Sequence, residues 1–331
     1  MATIIESVLH EQLLERRQKL EDAIALSAQN SELRRLLREV DAAMERVEQG
    51  IYGLCEACHD PIETERLLAD PLIRFCLGDL TLSQQRALEE DLELAARMQG
   101  ELLPKSNLHL DGWEISYHYE PAGPVSGDYC DLISLSDGSF YFMLGDVSGK
   151  GVAASMLMNQ LHAVFHSLIP VGLPLNQLVE RASRVFCEST LPTHFATLVC
   201  GKANGAGEIE ICNAGHLPPL LIRNGSVVAI EANGLPVGVF CDELFSSSIM
   251  RLEQGDTLFL YTDGLSETQD AAGVEYGTER LSSFISERHM LPTEMLVRAC
   301  VEEVAQFRAQ RLKSDDLTIM TIRRNGQHPV G

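Results

Sequence analysis

Four short acidic motifs punctuate the C-terminal two-thirds of this 331-residue chain: Ser126-Gly127-Asp128, Asp146-Val147-Ser148-Gly149-Lys150-Gly151, Thr262-Asp263-Gly264 and Asp315-Asp316-Leu317-Thr318. Asp146 and Asp263 each end an apolar run, Phe140-Tyr141-Phe142-Met143-Leu144-Gly145 and Thr257-Leu258-Phe259-Leu260-Tyr261-Thr262. A carboxylate at a strand end is held by rigid backbone, and a neighbouring glycine allows close approach. Oxygen ligands of this kind suit hard divalent cations such as Mg²⁺ and Mn²⁺. Several carboxylates converging in one cleft repel one another, and a cation cancels that repulsion.

Singly, each motif has a plainer explanation. A lone Asp-Gly is usually a turn. Asp-Val-Ser-Gly-Lys-Gly lacks the full G-x-x-x-x-G-K-[ST] pattern of a nucleotide P-loop. Taken together, their order, spacing and flanking residues resemble the metal-dependent protein phosphatases of the type 2C superfamily, in particular the bacterial SpoIIE/RsbU-type branch. The resemblance runs from about Leu92 to Arg323. It includes Ala95-Ala96-Arg97-Met98-Gln99-Gly100-Glu101-Leu102-Leu103-Pro104, Tyr119-Glu120-Pro121-Ala122, Asn213-Ala214-Gly215-His216-Leu217-Pro218-Pro219 and Leu260-Tyr261-Thr262-Asp263-Gly264-Leu265-Ser266-Glu267.

The resemblance implies hydrolysis of phosphoserine or phosphothreonine on a regulatory protein, such as an anti-anti-sigma factor, by a water bridging two Mn²⁺ or Mg²⁺ ions. It makes Asp128, Asp146, Asp263 and Asp315 the catalytic ligands, with Asp146 shared by both ions and the Val147 carbonyl completing one shell. Asp128 serves one ion, and Asp263 and Asp315 the other. Asp316 stands just outside the ligands. Ser126 replaces a glycine common in the family's first motif. His216 reads as a histidine fixing a hairpin rather than as a general acid. Cys130 sits among acids, which excludes a catalytic thiolate.

Ahead of these motifs, Tyr52-Gly53-Leu54-Cys55-Glu56-Ala57-Cys58 is followed after seventeen residues by Cys76. This is zinc-ribbon spacing. With Arg46-Val47-Glu48-Gln49-Gly50 it resembles the DksA/TraR-type zinc finger. That pattern wants a fourth cysteine at position 79, where this chain has Asp79. A Cys₃Asp zinc site (Cys55, Cys58, Cys76, Asp79), a site completed by water, and a metal-free remnant all remain open. The DksA type binds RNA polymerase through paired acids at a helical tip. The tip here would lie near Ala25–Glu32 and has no D-x-x-D. A DksA-like transcription regulator and a phosphoprotein-binding pseudophosphatase stand as the alternatives to an enzyme.

The elements that must carry these residues are legible from periodicity. Residues 1–50 read as a helical hairpin, with Leu33, Leu36, Leu37, Val40, Met44 and Val47 on one stripe of the second helix and Ile5, Leu9, Leu13, Leu20 and Ile24 on the first. Asn30-Ser31 marks the break. Residues 51–80 form the finger and 81–104 a linker helix striped by Leu88, Leu92, Ala95, Met98 and Leu102. A seam of that kind suits a homodimer, or packing on the chain's own domain. Residues 105–325 mix strands and helices, with helices over Val152–Leu168, Leu175–Leu191 and Thr293–Arg311 and a turn at Asn224-Gly225. The resemblance makes this an α+β, four-layer αββα sandwich.

Composition agrees with an ordinary folded protein, at 45% apolar residues. No apolar run reaches 18 residues and no signal peptide is recognisable, and nine scattered cysteines read as a reducing cytoplasm. A formal charge of −22 argues against nucleic acid or anionic membrane as partner.

Overall fold

The computed structural model describes residues 9–10, 13–14, 16–18, 20–21, 31–76, 78, 82–110, 112–190, 194–309, 313 and 315–326. Ile5, Ile24, the finger's Asp79 and most of the expected helical tip lie outside the described residues. The chain divides into two compact units, Met1–Asp91 and Leu92–Gly331.

In the first unit, helix α1 (Ser31–Glu48) begins at the expected break. Its Val40 and Ala43 are buried against Leu13, with Met44, Val47, Tyr52 and Leu72 alongside. A short helix α2 (Thr64–Ala69) follows the cysteine hairpin. Leu9, Cys55, Ile62, Leu67 and Cys76 form a second small core. Glu56 ties the finger together by accepting from both Arg46 and Arg74. The tyrosine hydroxyl of Tyr52 donates to the Pro71 carbonyl at 2.8 Å.

Helix α3 (Leu82–Leu102) leads into the second unit. There, strands β1 (Leu108–Leu110), β2 (Trp113–Glu120), β11 (Leu317–Arg324), β10 (Thr257–Tyr261), β7 (Leu220–Arg223) and β8 (Ser226–Ala229) form one sheet in that order. Strands β3 (Asp128–Ser134), β4 (Phe140–Val147), β5 (Ala196–Ala203), β6 (Glu208–Ala214) and β9 (Ser248–Arg251) form the other. All pairings are antiparallel. Helices α4 (Gly151–Leu168) and α5 (Leu175–Ser189) cover the second sheet, and α7 (Thr278–Glu287) and α8 (Thr293–Arg308) cover the first.

Alternation along the strands builds the layers. Phe140, Phe142 and Leu144 of β4 meet Leu258, Leu260, Met320 and Ile322 of the opposite sheet in a central core. Tyr141, Met143 and Val147 point the other way, under α4 and α5. Phe259, Tyr261 and Ile319 face α7 and α8. Both faces of each sheet are therefore covered, which is why these strands read as unbroken apolar runs despite antiparallel pairing. The result is the αββα sandwich.

The Asn224-Gly225 turn is confirmed, with both residues at positive φ (49° and 79°), as a two-residue hairpin between right-twisted strands requires. The helices over Leu175–Leu191 and Thr293–Arg311 end earlier, at Ser189 and Arg308.

Two findings depart from the sequence reading. Cys187 and Cys241 form a disulfide, so the cysteines are not all unpaired. The loop after β8 returns Cys241 to the last turn of α5 across 54 residues, a meeting that spacing along the chain does not reveal. On α3, Leu88 and Met98 are 45% and 63% exposed, while Leu92, Ala95 and Leu102 are half-buried on the side of the buried Gln99. The apolar stripe is therefore covered only in part. No helix among the described residues is long and apolar enough to cross a membrane.

Candidate metal centre

The same alternation gathers the acidic motifs. Asp128 opens β3 and Asp146 lies near the end of β4, and the antiparallel register sets them opposite each other. Asp146 continues the Phe142, Leu144 face and so points between the sheets. From the other sheet, Thr262 continues the Leu258, Leu260 face of β10, and Thr318 starts the Met320, Ile322 face of β11. All four meet at one end of the central core. Thr262 donates to Asp128 Oδ2 at 2.9 Å, and Thr318 donates to the same oxygen. The Thr318 N–H in turn donates to Thr262 Oγ1 at 3.0 Å. Asp128 is thereby stitched to the opposite sheet while its other oxygen stays available.

Asp263 begins a single-turn helix, α6 (Asp263–Ser266), right after Thr262. Gly264 packs so closely on the lead-in to β11 that a Cβ there would stand 1.8 Å from the Asp316 carbonyl oxygen. The Asp-Gly pair here serves close approach between two motifs rather than a turn. Asp315 accepts from Lys150 Nζ at 2.9 Å. Asp316 is occupied differently, because its two oxygens accept the backbone N–H groups of Ala122 (2.6 Å) and Gly127 (2.8 Å). It holds the loop that leads to Asp128. The Val147 N–H donates to the Gly127 carbonyl at 3.3 Å, which keeps the Val147 carbonyl beside that loop.

The electrostatics are those of a site short of positive charge. Burial pushes the Asp146 carboxyl up to about 7, with Asp263, Asp315 and Asp316 adding to it and Lys150 opposing. Burial also raises Asp128 well above the carboxylate range. The Thr318 hydrogen bond opposes that rise, and Asp146 and Asp316 add to it. Asp263 is raised by burial and then by Asp315. An all-oxygen donor set with mutually raised carboxyls fits hard divalent ions, which supply the missing charge. These aspartates are spread more widely than the two three-residue clusters whose ligand atoms all lie within 4.8 Å of one another, Cys55/Cys58/Cys76 and Asp131/His162/His166.

Several contributors carry no sequence signal of their own. Thr262 and Thr318 stand inside the motifs, and continuing the strand alternation by one step finds them. Gln99 does not announce itself. Its amide donates to the Ser126 carbonyl at 2.7 Å and accepts from the Ser126 N–H at 2.9 Å, clamping the first motif to α3. His216 is buried, with Nε2 on the Tyr261 carbonyl at 3.1 Å and Nδ1 on the Thr197 hydroxyl at 2.8 Å. Asn213 accepts the His216 N–H. Burial lowers the ring to about 4, so it stays neutral and braces the β6 and β10 ends instead of donating a proton. Burial lifts the Cys130 thiol well above its usual range, and Asp131 and Asp128 add to this, so no thiolate forms there.

In the finger, the Cys58 and Cys76 sulfurs are 3.5 Å apart and Cys55 closes the cluster. Three soft thiols converging at this spacing fit zinc.

Sandwich and acidic centre define a phosphatase fold of the type 2C kind. The family model described as Stage II sporulation protein E (SpoIIE) matches residues 136–325, and the chain belongs to that family. A second model, the prokaryotic dksA/traR C4-type zinc finger, matches residues 50–78. The chain is 25% identical over 264 residues to Protein IcfG of Synechocystis sp., covering 71% of this chain and 42% of that protein. It is 25% identical over 243 residues to phosphoserine phosphatase RsbU of Bacillus subtilis, covering 72% of each. The SiaA-PP2C domain of Pseudomonas aeruginosa shares the fold, with a TM-score of 0.64 at 18% identity over 73% of this chain and 98% of that one. The chain thus spans less than half the length of IcfG and about seven-tenths of RsbU.

Proposed function

We propose that this chain is a metal-dependent protein phosphatase acting on a phosphoserine or phosphothreonine of a bacterial regulatory protein. The observation that carries this reading is the meeting of Asp128 and Asp146, across β3 and β4, with Asp263 and Asp315 from the other sheet. Asp128, Asp146, Asp263, Asp315 and the Val147 carbonyl would hold two Mn²⁺ or Mg²⁺ ions. Bound there, the ions would supply an activated water and charge neutralisation for the phosphoryl oxygens. The chain's own residues do the positioning. Thr262 and Thr318 fix the Asp128 carboxylate, and Asp316 and Gln99 fix the backbone around it. The similarity to a phosphoserine phosphatase of Bacillus subtilis supports the substrate class. An anti-anti-sigma factor is one protein of the right kind.

Purified full-length chain should release phosphate from a phosphoserine peptide with Mn²⁺ or Mg²⁺, and lose that activity in EDTA. Asp146→Asn should lower turnover by roughly a hundredfold or more, since it removes charge where the most charge is needed. Activity indifferent to EDTA, or untouched by Asp146→Asn, overturns the assignment.

Two further parts belong to the same reading. Cys55, Cys58 and Cys76 hold one zinc ion, with Asp79 or water as the fourth ligand. The partly exposed stripe on α3 pairs two copies of the chain, so that segments 1–50, 51–80 and 81–104 act as a regulatory arm on the catalytic domain 105–325.

A further inference from the structure

We propose that Asp131, His162 and His166 form a separate binding site for a borderline transition-metal ion of the zinc type, on the outer face of the second sheet. The site does not rest on the phosphatase reading. Strand alternation turns Asp131 away from the central core, opposite to Asp128, and under α4. His162 and His166 stand four residues apart on α4 and so share one face of that helix. Their ring nitrogens converge on one atom. His162 Nδ1 lies 3.2 Å and His166 Nε2 2.8 Å from Asp131 Oδ2. Two ligands about 2.0–2.1 Å from a common ion stand about 2.9 Å apart at a right angle and about 3.3 Å apart at the tetrahedral angle. The observed separations, 3.2 Å and 2.8 Å, lie in or just below that range, and all three ligand atoms lie within 4.8 Å of one another.

The carboxylate is braced as a metal ligand is. Tyr129 donates its hydroxyl to Asp131 Oδ2 at 3.0 Å, and the Leu132 N–H donates to Oδ1 at 2.7 Å. Such outer bonds fix a ligand's orientation. Burial opposes ionisation of Asp131, but the His162 hydrogen bond and the neighbouring ring charges prevail, and its carboxyl lies below the ordinary range. The site is graded from inside to outside, with side-chain exposures of 3% for Asp131, 16% for His162 and 45% for His166. An ion can enter past His166, and water can complete the shell from the solvent side. The two rings stand with centroids 4.0 Å apart and planes tilted by 33°, and both turn a nitrogen to the same carboxylate oxygen. Two imidazoles and one carboxylate, with water as fourth ligand, is a donor set that selects zinc-like ions over Mg²⁺.

The consequence is mechanical. β3 is an edge strand that begins with Asp128, and α4 begins just after the Asp146 loop. An ion between Asp131 and the two histidines would tie these two elements together behind the acidic centre.

The test counts zinc on the full-length, reduced chain with millimolar Mg²⁺ present to occupy the acidic centre. Wild type, His166→Ala and His162→Ala are dialysed against the same chelator-buffered zinc and analysed for metal per chain. The expected result is one equivalent fewer in each variant. Cys58→Ser should keep the histidine-dependent equivalent, which separates this site from the finger. Tyr129→Phe should keep the stoichiometry but weaken binding at this site by about tenfold or more. His166 is half exposed, so its truncation leaves the fold intact, and an unchanged unfolding curve without zinc verifies this. Equal zinc in wild type and His166→Ala shows a hydrogen-bonded triad that takes no metal, and overturns the proposal.

Discussion

Asp128 shows what a single residue in this site has to satisfy. It is fully buried next to other carboxylates and resists ionisation, and the hydroxyls of Thr262 and Thr318 from the opposite sheet offset that only in part. The aspartates themselves were legible because each ends or opens an apolar run beside a glycine or a turn. Thr262 and Thr318 lie inside the motifs too, but that both hydroxyls reach Asp128, 134 and 190 residues away, leaves no mark on local spacing. His216 makes a residue-scale prediction. Its ring is neutral and buried, lowered by burial from 6.5 to about 4. As pH falls below about 6.5 the unfolded chain takes up a proton that the folded ring refuses. Stability should therefore fall by about 1.4 kcal/mol per pH unit down to about pH 4, and this loss is absent above pH 6.5. Urea unfolding of the isolated, metal-free chain at several pH values measures the slope, and His216→Gln should flatten it by that amount. An unchanged slope in the variant would show that the ring titrates normally.

At the scale of elements, the strands were readable because both faces of each sheet are covered, and the hairpin turn because only Asn and Gly accept its backbone comfortably. Helix α3 was readable as a helix, and its stripe predicted the inward side only in part. Leu92, Ala95 and Leu102 are half-buried there, but the side chain buried deepest among them is Gln99, at 3% exposed, while Leu88 and Met98 stay 45% and 63% exposed. A polar contact, which periodicity does not mark, sits at the centre of that face. A buried Ser126 peptide needs both a donor and an acceptor, and one glutamine amide supplies the two. Gln99→Ala leaves both groups unpaired two residues before Asp128. Leaving buried backbone groups without partners costs about 1–3 kcal/mol. The loop should shift toward water to recover its hydrogen bonds, and kcat should fall by about tenfold, since about 1.4 kcal/mol of lost alignment is a factor of ten. The melting temperature should move only by about a few degrees. A large loss of melting temperature with normal kcat would instead make Gln99 a purely structural clamp.

Along the chain a finger is followed by a helix with a partly exposed apolar stripe and then by the sandwich that carries the acidic centre. Order along the chain made this arrangement visible in the sequence, while contacts that depend on loop return, such as Cys187 with Cys241, were invisible there. Leu88, Leu94 and Met98 are each between 45% and 63% exposed on α3; at 3.6 residues per turn Leu94 and Met98 lie on a flank away from Gln99, which is held against Ser126, while Leu88 lies on Gln99's side about three turns earlier. Leu94 and Met98, four residues apart and both exposed, offer a second chain an apolar surface. If a second copy covers them, any rotation of the paired helices is transmitted to Gln99 and from there to the Asp128 loop. Met98→Glu and Leu88→Glu place charges where the single chain is already open to water, so its own fold should tolerate them. In a paired seam the same charges meet apolar surface and each other. Sedimentation should show a dimer for the natural chain and a monomer for the double variant. Phosphatase rate, measured on the same samples, should change with the mass while Gln99→Ala removes that dependence. A natural chain that sediments as a monomer, or a double variant with unaltered mass and rate, would mean that the stripe pairs nothing and that Gln99 holds a fixed loop.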